Sequence, residues 1–112
     1  MSEAVVLTST ANNVRTVVLN RPKALNALDR TLTLALRDAV FAAEQDKTIR
    51  CVVIRGGEHF MAGGDLKWFH ENLGKLSAGE TRIQFEGFIH EVHAIIVSLR
   101  RMPKPVVASV SG

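Results

Sequence analysis

Short runs of β-branched residues alternate along this chain with long stretches of helical periodicity, and this alternation narrows the folds open to it. Four such runs are present, at 4–8, 14–20, 51–55 and 106–110. Apolar residues recur every three or four positions over 25–43 and again over 85–102, which predicts two long amphipathic helices. Strands joined by helical crossovers are typical of α/β proteins. The order β-β-α-β-α-β therefore predicts an α/β fold with a sheet that is at least partly parallel.

Turn and capping residues mark the ends of these elements. The short polar residues at 9–13 predict a turn that joins the first two runs as a hairpin. Asp29 is a candidate N-cap for the first long helix, because its carboxylate can accept from unpaired amides of the first turn. Ser77 and Glu80 have capping-box spacing ahead of the second long helix, and Pro103 ends that helix.

The apolar spacing also predicts which side chains of the first helix are buried. Four helix residues are expected to face three strand residues: Leu28, Leu32, Leu36 and Val40 against Val17, Val53 and Val107. Cys51 is the only cysteine and lies within a strand-like apolar run, so an internal disulfide is excluded. We interpret it as a buried small hydrophobic residue rather than a nucleophile.

Composition and charge limit the possible functions. The 112 residues are 46% hydrophobic and 22% charged, as in a soluble globular domain, and no apolar run approaches the length of a membrane span. No basic segment precedes the first apolar stretch, so we expect no signal peptide and a cytoplasmic location. The net charge of +3 is scattered, which argues against nucleic-acid binding but suits a phosphate-bearing small molecule.

The segment at 60–67, Phe-Met-Ala-Gly-Gly-Asp-Leu-Lys, carries candidate chemistry in its backbone. It follows a buried strand and opens a predicted short helix through Trp68 and Phe69. The adjacent glycines allow turns that other residues cannot adopt, and amides at a helix N-terminus point outward unpaired, so they can hold a developing oxyanion. Asp65 fits a helix N-cap better than a general acid. A plain glycine-rich turn is the alternative interpretation.

Spacing argues against other common sites. Neither Gly-x-Gly-x-x-Gly nor Gly-Lys-Ser/Thr follows the strand at 51–55, so two familiar nucleotide-binding loops are excluded. Glu86, His90 and His93 stand four and three residues apart on one helical face, a spacing that can bring them to one metal ion. Half-exposed polar residues on an otherwise apolar helix explain the spacing more simply, and we predict no metal site.

Three segments resemble successive signatures of the crotonase superfamily, the enoyl-CoA hydratase/isomerase family. They lie at 19–28, 53–67 and 103–112, in the order and at the separation seen in that family. The resemblance implies a crotonase-like ββα spiral that binds acyl thioesters of coenzyme A and is usually trimeric. Because family members are more than twice this length, residues 1–112 would be the N-terminal part of one such domain.

The resemblance also implies roles for particular residues. In the family, two peptide N–H groups polarise the thioester carbonyl and stabilise an enolate, and the first of them would be that of Gly64. The second donor and the hydratase carboxylates would follow Gly112. The substrate path would be formed by Lys23, Ala24, Leu25, Ala62, Gly63, Asp65, Leu66 and Lys67. The two lysines would lie near the phosphates, although ordinary solvated surface charge remains the alternative for both.

The implied function is binding and activation of acyl-CoA thioesters through an oxyanion hole, as an enoyl-CoA hydratase or isomerase in the full-length protein. No cofactor is implied beyond the coenzyme A of the substrate, and the expected partners are acyl-CoA and further copies of the chain. We expect residues 1–112 alone to be inactive. Two alternatives remain open: another crotonase reaction such as acyl-CoA hydrolysis, or a non-catalytic interaction module.

Overall fold

The computed structural model describes residues 4–61, 63–73 and 76–111, and its strands form one four-stranded sheet. The strands are β1 (Val6–Ala11), β2 (Val14–Leu19), β3 (Cys51–Arg55) and β4 (Val106–Ser109), and they lie in that order across the sheet. The β1/β2 pair is antiparallel, whereas β2/β3 and β3/β4 are parallel. The helices are α1 (Arg30–Gln45), α2 (Leu66–Leu73) and α3 (Ala78–Arg101). The predicted α/β class with a partly parallel sheet is confirmed.

The turn between β1 and β2 is tighter than predicted. Strand β1 continues to Ala11, so only Asn12 and Asn13 form the connection. Both have positive φ, at 53° and 64°. A two-residue turn of this kind matches the twist of the flanking strands, and asparagine tolerates the left-handed conformation.

Helix α1 begins later than its apolar spacing predicts. Pro22–Ala24 form a short 3₁₀ turn, and Leu25 and Asn26 follow it in the left-handed region with φ of 54° and 57°. The N-cap prediction is confirmed, because the Asp29 carboxylate accepts a hydrogen bond of 2.8 Å from the Leu32 N–H. The helical spacing before Asp29 is thus coincidental.

Helix α3 agrees with its predicted ends. The Glu80 N–H donates to the Ser77 hydroxyl at 3.2 Å, while that hydroxyl lies 3.1 Å from the Glu80 carboxylate. The helix ends at Arg101, two residues before Pro103. None of the helices in the described part of the chain is long and apolar enough to cross a membrane.

The core lies between α1, α3 and one face of the sheet. Leu32 is completely buried, as predicted, and it packs in a cluster made of Val17, Leu19, Leu36, Val40, Ala43, Ile49, Val52, Ile54, Ile95 and Met102. Leu28 is partly buried at its margin.

The predicted partners Val53 and Val107 were wrong. Side chains alternate along a strand, and the core face of the sheet carries Val52, Ile54 and Val106 instead. Val107 is 49% exposed. Both faces of these parallel strands are apolar, so the sequence pattern does not identify the buried face. Cys51, on the same face as Val53, is only half-buried rather than buried as predicted.

Candidate functional site

The glycine-rich segment after β3 is held against Leu28 by a single parallel bridge. The Leu28 N–H donates to the Gly63 carbonyl at 2.6 Å, and the Leu28 carbonyl accepts from the Asp65 N–H at 2.9 Å. The Gly63 carbonyl and the Gly64 N–H belong to one trans peptide plane, so they point in opposite directions. The Gly64 N–H therefore points away from Leu28. Within residues 4–61, 63–73 and 76–111, no backbone or side-chain acceptor receives it.

Asp65 caps the helix that follows this segment. Its carboxylate accepts a 2.9 Å hydrogen bond from the Trp68 N–H, which confirms the predicted N-cap at the start of α2. The Trp68 hydrogen bond, with a further contribution from Arg21, holds the pKa of Asp65 below its usual value. The carboxylate is therefore ionised at neutral pH, which suits a helix cap, whereas a general acid must carry a proton.

Arg21 ties the two capping aspartates together. Its guanidinium lies 2.7 Å from the Asp65 carboxylate and 3.3 Å from that of Asp29, and it also donates to the Ala27 carbonyl at 2.8 Å. Both carboxylate side chains are only 12% exposed. The sequence reasoning missed the role of this residue, because Asp65 lies 44 positions further along the chain and no local pattern connects the two.

Asn26 is a second residue that the sequence reasoning missed. Its side-chain oxygen accepts from the Arg21 N–H at 2.7 Å, and its amide donates to the His59 carbonyl at 2.8 Å. Gly56 allows this contact, because a Cβ there would stand 1.9 Å from the His59 carbonyl oxygen. The turn after β2 and the loop after β3 are thus fastened together through one buried amide.

Aromatic rings form a wall beside Gly64. Phe69 contacts Trp68, Phe85 and Phe88 with ring centroids 5.0 to 5.8 Å apart. A Cβ on Gly64 would lie 3.1 Å from the edge of the Phe69 ring. The Cβ position of Gly64 therefore faces the Phe69 ring, so position 64 favours a small residue.

The predicted substrate-path residues lie in two segments that the structure brings together. The segment 23–25 leads to Leu28, which pairs with 63–65, and Arg21 bridges the same two segments. Gly63 has a φ of 90°, a conformation that favours glycine. The leucines and lysines in these segments are exposed: Lys23, Leu25, Leu66 and Lys67. Ala24 is half-buried, and Ala62 lies outside the described residues.

Two further surface features give less support for a function. Glu86, His90 and His93 line one surface groove on α3, but no group of three metal-binding side chains occurs within the described ranges. A cavity of about 180 Å³ lies beside the 22–26 turn, with Pro22 and Leu25 on one side and His59 on the other.

Comparison with known proteins identifies the family. Residues 14–112 match the family model described as enoyl-CoA hydratase/isomerase. The chain is 36% identical to a crotonyl-CoA hydratase of Syntrophomonas wolfei subsp. wolfei over 84% of its own length and 34% of the relative's. It is 31% identical to a 1,2-epoxyphenylacetyl-CoA isomerase of Escherichia coli, covering 96% of this chain and 40% of that protein.

Solved structures agree with the sequence comparison. An enoyl-CoA hydratase of Mycobacterium smegmatis superposes with a TM-score of 0.83 at 33% identity, over 96% of this chain and 40% of the other. The chain thus belongs to the enoyl-CoA hydratase/isomerase family and has the crotonase fold. It spans about a third to two-fifths of the length of these relatives.

Proposed function

We propose that this chain supplies the first oxyanion donor and part of the coenzyme A path of an acyl-CoA enzyme of the crotonase type. The observation that carries the proposal is the exposed Gly64 N–H, which has no acceptor in the described part of the chain. A thioester oxygen that gains negative charge is the acceptor such a donor suits.

The donor is preorganised, which supports a catalytic rather than a passive role. Leu28 fixes the peptide plane in front of Gly64, and the capped start of α2 lies directly behind it. The partial positive charge at the helix N-terminus adds to the N–H dipole. A donor held in place before the substrate arrives costs no reorganisation when charge develops in the transition state.

Polarisation of the thioester carbonyl is a step that the hydratase and isomerase reactions would share. Relatives of similar identity to this chain have names that specify a hydratase and an isomerase, so identity does not separate the two reactions. We propose enoyl-CoA hydration or isomerisation for the full-length protein, within fatty acid metabolism, and polarisation of the thioester carbonyl as the common step. The residues that select the reaction would lie outside this chain.

Exposed side chains beside the donor suit the coenzyme A portion of the substrate. Leu66, two residues after Gly64, is 80% exposed, and Leu25 is exposed on the paired segment. Lys23 and Lys67 place cations on the same two segments, where flexible ammonium groups suit mobile phosphates. Asp65 would contribute through its position, because its carboxylate is occupied by Arg21 and Trp68. Ala24, Gly63 and Ala62 complete the proposed path.

Coenzyme A enters as part of the substrate, and no separate cofactor is proposed. A trimer or dimer of trimers, and a cytoplasmic location, stay predictions from the sequence.

The test uses the full-length natural protein and a short-chain 2-enoyl-CoA thioester. Turnover is followed by loss of the conjugated thioester absorbance, or by product analysis for isomerisation, and polarisation is followed by infrared difference spectroscopy of the bound thioester. We expect the carbonyl stretching band to move to lower wavenumber on binding. A thioester that binds without such a shift would contradict the proposal.

A further inference from the structure

We infer that Arg21 is a positioning residue that orients the Gly64 N–H toward its acceptor. This inference rests on the proposed function. The guanidinium reaches across from the turn after β2 and contacts the aspartate that follows Gly64, with an N–O distance of 2.7 Å. Arg21 is not proposed to touch the substrate.

Arg21 is itself fixed by its surroundings. The backbone N–H of Arg21 donates to the Asn26 side-chain oxygen at 2.7 Å. Its backbone carbonyl accepts from the backbone N–H groups of Ala24 and Asn26 at 3.2 and 2.9 Å. The guanidinium then forms ion pairs with the N-caps of α1 and α2. One side chain thus couples the start of both helices to a rigid turn.

Only Asp65 lies between the Arg21 guanidinium and Gly64, the residue that carries the donor. The backbone of Asp65 is held at its N–H by Leu28 and at its carbonyl by the Phe69 N–H, and its carboxylate is held by Arg21 and by the Trp68 N–H. Leu28 also holds the carbonyl of Gly63. Gly64 lies between two anchored neighbours, so a shift of Asp65 rotates the peptide that carries the donor.

Charge explains why an arginine is needed at this position. Without it, the carboxylates of Asp29 and Asp65 would face each other with little solvent, and like charges in such a site repel. Repulsion would move Asp65, because Asp29 is fixed at the start of a helix packed in the core. A lysine would keep the charge but lose the fork that reaches both carboxylates.

Arg101 provides a matched control in the same fold. It pairs with the Glu44 carboxylate at 2.8 and 2.9 Å, and the Glu44 side chain is 11% exposed, close to the 12% of the two aspartates. The pair joins the C-terminal ends of α1 and α3 and includes no residue of the site. An Arg101→Gln variant therefore loses an ion pair to a similarly buried carboxylate without touching Asp65, although the Arg101 side chain is 64% exposed and that of Arg21 is 25% exposed.

The experiment compares Arg21→Gln, Arg21→Lys and Arg101→Gln in the full-length protein with a 2-enoyl-CoA thioester. We measure Tm, kcat, KM and the infrared carbonyl band of the bound thioester at saturation. For Arg21→Gln we expect kcat to fall about 10- to 100-fold, because a displacement of about 1 Å is enough for such a loss. We expect KM to change by less than about threefold and the band shift to shrink. Arg21→Lys should fall between the wild type and Arg21→Gln.

The control separates positioning from stability. Arg101→Gln should lower Tm while kcat and the band stay at wild-type values. The inference is overturned if Arg21→Gln, or Arg21→Lys where Arg21→Gln does not fold, retains the wild-type kcat and band. An unshifted band in the wild-type protein would instead remove the proposed function, and this inference with it.

Discussion

The core and the candidate site are held together by different forces. In the core, Leu32 and its neighbours are buried hydrocarbon packed between helices and sheet. In the site, Arg21, Asn26 and two capping aspartates form a network of hydrogen bonds and ion pairs, while leucines lie exposed at its surface. Apolar packing is not directional, whereas an N–H must point at its acceptor. The difference implies that core changes act on folding, whereas changes to the directed N–H act mainly on chemistry.

A pair of leucines gives the sharpest stability contrast. Leu32→Ala should lower the free energy of unfolding by about 2 to 5 kcal/mol, because it removes buried hydrocarbon and leaves a cavity. Leu66→Ala should change it by less than about 0.5 kcal/mol, because that side chain is 80% exposed. Denaturant unfolding measures both. Equal losses in the two variants would erase the distinction between core and site.

Gly64 tests the same distinction in kinetics. Gly64→Pro deletes the N–H and should lower kcat of the full-length protein about 100- to 1000-fold, the usual loss for one oxyanion donor. Gly64→Ala keeps the donor and needs only a small shift of the Phe69 ring, so its loss should be much smaller. Tm measurements check that both variants are folded. If the two folded variants lose activity equally, the donor role is wrong.

Replacing Asn26 should show that the candidate site also contributes to the stability of the fold. Asn26→Gly preserves the left-handed backbone but leaves the Arg21 N–H and the His59 carbonyl without their partner. We expect a loss of about 1 to 3 kcal/mol in unfolding free energy, as for buried polar groups that lose a hydrogen bond. Asn12→Gly in the exposed hairpin turn is the matched control for an asparagine with positive φ and should cost less. An Asn26→Gly variant with the wild-type free energy of unfolding would show that these two side-chain hydrogen bonds are dispensable.

The smallest expected effect concerns the charge of Asp65. Hydrogen bonding from the Trp68 N–H, and pairing with Arg21, lower the pKa of this carboxyl in the folded state. Its stabilisation is therefore present above the ordinary aspartate pKa and is lost as the pH falls through the lowered value. Asp65→Asn keeps a capping oxygen but not the charge, so it should cost about 1 kcal/mol at pH 7.

Acid unfolding provides the measurement for Asp65. Below about pH 4 the wild-type protein should lose stability more steeply than Asp65→Asn. Glu44 and Asp46 also have lowered pKa values, through Arg101 and Thr48 respectively, and their contributions remain in both proteins. Parallel stability curves for the two proteins would contradict the assigned role of the charge.

Much of the core could be predicted from the sequence, because the spacing of apolar residues along a helix indicates which side of that helix is buried. The spacing of Leu32 and Val40 identified the buried side of α1, and the aspartate before it identified the cap. The same spacing failed at Leu25, where the backbone is left-handed. Neighbouring sequence does not specify that conformation; Asn26 stabilises it through a bond to His59, 33 residues away.

The site was predictable only in part, for a related reason. Gly63, Gly64 and Asp65 could be assigned because a glycine pair followed by a cap is a local pattern, and the family resemblance added the donor role. Arg21 and Asn26 act through partners distant in sequence, so no local pattern points to them. Polar networks become visible only when the fold brings their members together.

The central claim is that the Gly64 N–H binds the thioester oxygen, and a crystal structure of the full-length protein with a bound acyl-CoA tests it most directly. We predict that the thioester oxygen lies about 2.7 to 3.1 Å from the Gly64 nitrogen, on the side opposite Leu28. Arg21 should still contact Asp65 in that complex. A thioester oxygen bound by other groups, with the Gly64 N–H turned toward a protein acceptor, would contradict the claim.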